Sequence, residues 1–262
     1  MLFKEKFDLI VSLGSDCACS SYLRRFGLQD YSYPFDWLTK FPFDNRINFL
    51  LNDFNDFLNK ENLHKIEKPK DKETDSKCDY YEDSKYDIYF FHDFKNFLPF
   101  DVAYNDVREK YTRRIKRLYS KISESKKVLF VWWSRELHLD MQHVCNQFNN
   151  LQEKFGNSEL FLLLIEDKDE KDKQEQYSYL DNHIILIKDY LMGPNKHGST
   201  MGIEETNNLI FKQIRYKSPL KNIIKGSCLN LAKSLVKILI PNRDLRNKIY
   251  SKLQYMFLKA RL

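Results

Sequence analysis

Residues 7–27 read FDLIVSLGSDCACSSYLRRFG. Phe7, Leu9, Ile10, Val11 and Leu13 form a short, nearly continuous apolar run, the pattern of a strand buried within a parallel sheet. Gly14-Ser15-Asp16 breaks the run, and from Cys17 the period becomes helical: Cys17, Cys19-Ser20, Leu23 and Phe26 share a side. Gly27 follows the last periodic residue and supplies a left-handed cap. Strand, tight turn and helix put Cys17 at a helix N-terminus. The dipole and the N–H groups there favour a thiolate. The same placement sets the sulfur at the carboxyl edge of a strand, where open α/β sheets keep their sites. The bland alternative is an inert buried cysteine. Cys19, about 200° further round the helix, reads as core.

The rest of the chain supports an α/β fold. Apolar runs near 7–13, 86–91, 127–132, 160–166 and 183–187 alternate with helical patterns. That alternation predicts a mostly parallel central sheet flanked by helices, all five runs being strands of it. A hydrophobic content of 42% supports a core of this size. Helical patterns cover Asp44 to Leu58, Val107 to Ser123, Leu137 to Phe155 and Glu204 to Arg215. Residues 59–85 and 167–182 are charged and read as solvated loops. Five cysteines, an odd number without framework spacing, predict a reducing, cytoplasmic compartment and no disulfide scaffold. No secretory leader and no 18-residue apolar run is apparent.

Three further stretches bear on chemistry. His92-Asp93 follows the apolar run 86–91; neighbours on a strand face opposite ways, so Asp93 orients His92 only if the strand ends or bulges there. Asp36 lies between Phe35 and Trp37 and reads either as a cap or as a group facing the site. Residues 192–202, MGPNKHGSTMG, form a glycine-rich loop that lacks phosphate-binding spacing but makes His197 a rival of His92. His138 and His143 do not share a ligand face, and no metal site is predicted.

The blocks Ser12-Leu13-Gly14-Ser15-Asp16-Cys17, Leu23-Arg24-Arg25-x-Gly27-Leu28, Pro34-Phe35-Asp36-Trp37 and His92-Asp93-Phe94 resemble a bacterial family described as papain-like cysteine peptidases, over about residues 7–135. The resemblance implies Cys17 as nucleophile, His92 as its base and Asp93 as orienter. Gly14, Ser15, Asp16, Asp36 and His197 are then expected around the oxyanion or substrate. The C-G-x-C-W pattern of papain itself is absent. A related group of polysaccharide-biosynthesis proteins, with a Gly-Asn-Cys turn after the first strand, is loosely similar and implies acyl transfer from coenzyme A thioesters. The expected activity is therefore cysteine-dependent acyl transfer or hydrolysis on a small-molecule or glycan substrate. No cofactor is required, and a coenzyme A thioester is a candidate co-substrate. Two alternatives stay open: a sugar-modifying, glycosyltransferase-like enzyme in which Cys17 is structural, and a non-catalytic binding protein.

Charge divides the chain. Residues 206–262 hold 13 Lys or Arg and one acid, Asp244, so the remainder is net acidic although the whole carries +6. The expected organisation is an α/β domain over 1–205 and a basic helical segment over 206–262. Leu220, Ile224, Cys228, Leu231, Leu235 and Ile238 fall within roughly 80° on one helix face. After Pro241, Leu245, Ile249, Leu253 and Phe257 form a second stripe. Apolar stripe with basic flank is the pattern of an interfacial helix. The expected partner is an anionic membrane surface met through 220–262, on the inner face. Nucleic acid is disfavoured, because phosphate contact needs no apolar stripe.

Overall fold

The computed structural model describes residues 2–15, 17–40, 42–67, 77–134, 139–167, 176–191, 202–217, 231–232, 234–237, 245–246, 249–250 and 252. Met1–Gln29 and Tyr33–Tyr216 form one compact unit, and Asp30–Ser32 with Lys217–Leu262 a second. In the first unit β1 (Leu9–Ser15) leads into α1 (Cys17–Arg25). The other members of the main sheet are β6 (Lys127–Ser134), β7 (Glu159–Asp167), β8 (Gln176–Tyr179) and β9 (Ile184–Asp189). Their order is β1-β6-β7-β9-β8. The first four strands are parallel, and only β8 runs antiparallel, on β9. The α/β architecture with a mostly parallel central sheet is as the sequence predicts.

The run near 86–91 is not in that sheet. It becomes β5 (Ile88–Lys95) of a second, antiparallel sheet with β2 (Leu38–Thr39), β3 (Leu63–Ile66) and β4 (Cys78–Asp83), in the order β2-β5-β4-β3. The stretch 59–85, expected as loop, therefore supplies two strands. Their polar residues hid them: β3 pairs antiparallel with β4, as β4 does with β5, an arrangement in which one face stays wet. Likewise β8 lies within the expected loop 167–182 and is exposed throughout.

Helices cover both faces of the main sheet. On one face, Ala18, Cys19, Tyr22 and Leu23 of α1 and Ile210 and Phe211 of α5 (Glu204–Lys212) pack on Leu129, Val131, Trp133, Leu163 and Ile165. α5 thus belongs to the α/β core. On the other face lie α2 (Phe43–Leu51), α3 (Phe100–Ser123) and α4 (Met141–Lys154). The Phe43 ring meets Trp132 edge-on at 5.3 Å. α2 and α4 run parallel: His143 and Asp44 meet at their starts, and Lys154 donates to the Leu51 carbonyl at their ends. Asp140, expected inside a helix, caps α4 by accepting from the Gln142 and His143 N–H groups. The helical pattern through Asp44 ends at Leu51, and Asp53, Phe54, Asp56 and Leu58 have positive φ. The resulting turns fold Phe54 and Phe57 back onto Phe49, in edge-on and tilted ring contacts.

Candidate functional site

Two helices that leave adjacent parallel strands on opposite faces open a crevice at the carboxyl edge of a sheet. Here those strands are β1 and β6, since α1 covers one face and α4 the other. Ser15 pairs with Trp133 at this edge. Cys17 is the first residue of α1 and is half-buried. The fold therefore sets the thiol at the carboxyl edge of the sheet, on a helix start. Cys19 is fully buried, its Sγ 3.5 Å from the Val131 carbonyl, in keeping with a core role.

The turn before Cys17 rests on a residue that sequence reasoning missed. Arg46 of α2 is fully buried. Its Nη2 donates to the Ser15 carbonyl at 2.6 Å and its Nη1 to the Phe35 carbonyl at 3.4 Å. The guanidinium also lies over the rings of Phe35 and Trp132. Gly14 has φ +113°, and a Cβ there would stand 2.2 Å from Nη1 of Arg46. Glycine is required twice over, for the conformation and for the approach of the arginine. A buried cation directly beneath this turn adds positive potential next to the start of α1.

The Pro34-Phe35-Asp36-Trp37 block fastens α1. Asp36 is fully buried, and its Oδ2 accepts from Arg24 at 2.5 Å, Gln29 at 2.7 Å and the Tyr33 N–H at 3.0 Å. Burial pushes its carboxyl pKa up, and Arg24 and the Tyr33 N–H oppose that shift. Ser20 Oγ bridges the Cys17 and Asp36 carbonyls. Asp36 acts here as a buried clamp on α1. Trp37 carries Arg24 over its ring at 5.1 Å and meets the His92 ring at 6.3 Å and 78°.

His92 is not at a strand end. It lies inside β5, at an irregularity: Tyr81 pairs with Phe90 and Asp79 with Phe94, so three residues of β5 face the single Tyr80. This bulge breaks the alternation. Ile88 and Phe90 point inward, His92 is turned out, and Asp93 and Phe94 are buried again. Bulges re-aim side chains in this way. Asp93 faces α3, where its carboxylate takes bonds from Lys110 and the Tyr111 hydroxyl. The bulge therefore turns the two side chains to different surroundings, Asp93 to α3 and His92 outward beside Trp37. Burial, reinforced by Asp93, raises Tyr111 well above the ordinary phenol range.

The other histidines sort themselves by place. His143 at the start of α4 pairs with Asp44 at 3.4 Å, on the same sheet edge as Cys17 but across from α1. His183 pairs with Glu159 at 3.2 Å, at the opposite edge, beside a cavity that Lys126, Gln152 and Ser158 also line. Asp16, His138 and His197 lie outside the described residues. Among the described residues no group of three or more His, Cys, Asp or Glu is placed to hold a metal ion.

Comparison with known proteins extends this geometry. A 134-residue stretch is 29% identical to "Uncharacterized protein R408" of Acanthamoeba polyphaga mimivirus, covering 47% of this chain and 60% of that relative. The chain thus spans about 60% of the length of that viral relative. No solved structure matches. The family model described as "Putative papain-like cysteine peptidase (DUF1796)" matches residues 8–168, which takes in the β1–α1 turn, the Asp36 clamp, the His92 bulge and all of the sheet through β7. That match covers more than half of the chain, and the chain belongs to this family of papain-like cysteine peptidases.

Proposed function

We propose that the chain is a thiol-nucleophile enzyme acting on an acyl group, with Cys17 as nucleophile and His92 as proton carrier. One observation carries the reading: Cys17 opens α1 at the carboxyl edge of the sheet, just after the turn whose Ser15 carbonyl the buried Arg46 holds. The Cys17 sulfur adds to the acyl carbon and forms a C–S bond. The carbonyl oxygen takes the negative charge, facing the backbone N–H groups around Ser15 to Cys17 and the positive end of α1. Collapse breaks the bond to the leaving group, which receives a proton from His92. Water or an acceptor nucleophile then attacks the thioester, His92 takes its proton, and Cys17 is released. Hydrolase and transferase differ only in that second nucleophile. The acyl carrier we favour is a coenzyme A thioester, because a thioester exchanges its acyl group with a thiolate at little energetic cost, and a glycan hydroxyl is the acceptor implied by the similar polysaccharide-biosynthesis group.

A second reading of the base follows from His143, which already holds a carboxylate partner in Asp44 at the same edge of the sheet. In that version His143–Asp44 replaces His92, and Cys17 keeps its role.

The test is competitive alkylation by iodoacetamide near pH 6, read at each cysteine by mass spectrometry. Cys17 should label faster than Cys19, Cys78 and Cys145; burial and Asp181 push the Cys145 thiol up. Incubation with acetyl-coenzyme A should add an acetyl group to Cys17, absent in Cys17→Ser. His92→Ala should slow both reactions more than His143→Ala if His92 is the base. Labelling of Cys17 no faster than of Cys145 would overturn the nucleophile assignment.

A further inference from the structure

The second unit carries a surface that the proposed chemistry does not use. Residues 231–232 and 234–237 are helical. Leu231 and Leu235, four apart and so on one helix face, are 63% and 50% exposed. Leu245, in the helical pair 245–246, is also 50% exposed. Lys237 and Lys252 are exposed nearby in sequence, and Arg246 is half-exposed. A single exposed leucine means nothing. Two exposed leucines on one face, with a third in the next helical stretch, in residues 217–262 that hold 11 basic side chains and one acid, need an occupant that is both apolar and anionic.

We propose that this unit docks on an anionic lipid surface. The leucines enter the boundary between headgroups and acyl chains, while Lys and Arg meet the headgroup phosphates. Charge complementarity selects this occupant. A second copy of the chain would bring like charge against like. A nucleic acid would satisfy the lysines and leave the leucines in water. Among the described residues no helix is long and apolar enough to cross a membrane.

The experiment uses the full chain and sedimentation with phosphatidylcholine vesicles, with and without phosphatidylglycerol. Binding is expected only with phosphatidylglycerol and should weaken as salt rises. Leu231→Asp and Leu235→Asp should each lower partitioning about tenfold or more. Lys237→Ala should lower it about fivefold. Circular dichroism of each variant and the Cys17 alkylation rate should not change, because the substituted side chains are exposed. No sedimentation at low salt, or equal binding to neutral vesicles, would overturn the proposal. So would binding untouched by the leucine substitutions; that result, with displacement by poly-uridylate, would assign the charge to RNA.

Discussion

Gly14→Ala tests the turn that carries Cys17. The new methyl group would lie 2.2 Å from Nη1, 2.5 Å from Cζ and 2.8 Å from Nη2 of Arg46. Ordinary contact is about 3.5 Å, so the guanidinium must retreat by roughly 1 Å. That movement breaks its 2.6 Å bond to the Ser15 carbonyl. A lost bond to a charged donor costs about 1.5–3 kcal/mol, and holding an L-residue at φ +113° adds about 1–3 kcal/mol. The expected total is about 3–5 kcal/mol in urea unfolding at pH 7. Arg46→Ala alone should cost about 2–4 kcal/mol, since it orphans the Ser15 carbonyl and uncovers the rings of Phe35 and Trp132. In the Arg46→Ala background the alanine at 14 meets no guanidinium, and only the backbone cost remains. The double variant should therefore be about 1.5–3 kcal/mol more stable than the sum of the singles implies. Additivity within about 0.5 kcal/mol would refute the claim that Gly14 is small because Arg46 lies against it.

Three other outcomes follow from the same structure. Asp93→Asn should lower stability by about 1–3 kcal/mol through its Lys110 and Tyr111 bonds and leave the alkylation rate of Cys17 unchanged; a slowed Cys17 in a fully folded variant would return Asp93 to the site. Arg24→Ala strands the buried Asp36 carboxylate and should cost about 3–5 kcal/mol, with the loss larger at pH 7 than at pH 4.5 in urea titrations. Asp83, fully buried, has its carboxyl pushed up to about 6 by burial. Its folded value exceeds the unfolded one near 3.8, so its contribution is full below about pH 4 and is lost as pH rises through about 6. Asp83→Asn should flatten that fall, gaining up to about 3 kcal/mol relative to the native chain between pH 4 and 7; parallel pH profiles of the two proteins would exclude it.

The strand-turn-helix at 7–27 was legible because its cause is local: an apolar run, a glycine, then a helical period. β6, β7 and β9 were legible for the same reason, being apolar nearly throughout. The second sheet was not. β4 reads CDYYED and is half polar, yet Cys78, Tyr80, Tyr81 and Asp83 are all buried. Only its pairing with β3 and β5 makes it a strand, and pairing between distant segments leaves no periodic trace. Arg46 was hidden differently. One arginine in a helical pattern looks like a solvated charge, and nothing within four residues announces that Gly14 and Trp132 close over it. The His143–Asp44 pair joins residues 99 apart, so adjacency in sequence pointed to His92-Asp93 instead, whose side chains the bulge in β5 turns to different surroundings.

That bulge decides where two side chains of β5 go. Without it, strict alternation from Ile88 and Phe90 would bury His92 and turn Asp93 out to solvent. With it, Asp93 goes to α3, where Tyr111 and Lys110 meet it, and His92 comes out against Trp37. Trp37 in turn is held through Arg24, which lies seven residues after Cys17 on α1 and so on nearly the same helix face. The insertion between α1 and β6 thus turns His92 out onto Trp37, the ring that Arg24 of α1 covers. Deleting Phe91 and Asp93 together would leave His92 alone opposite Tyr80 and should restore regular pairing. On the proposed function, Cys17 of that variant should be alkylated as slowly as in His92→Ala, and an unchanged alkylation rate would refute the role given to His92.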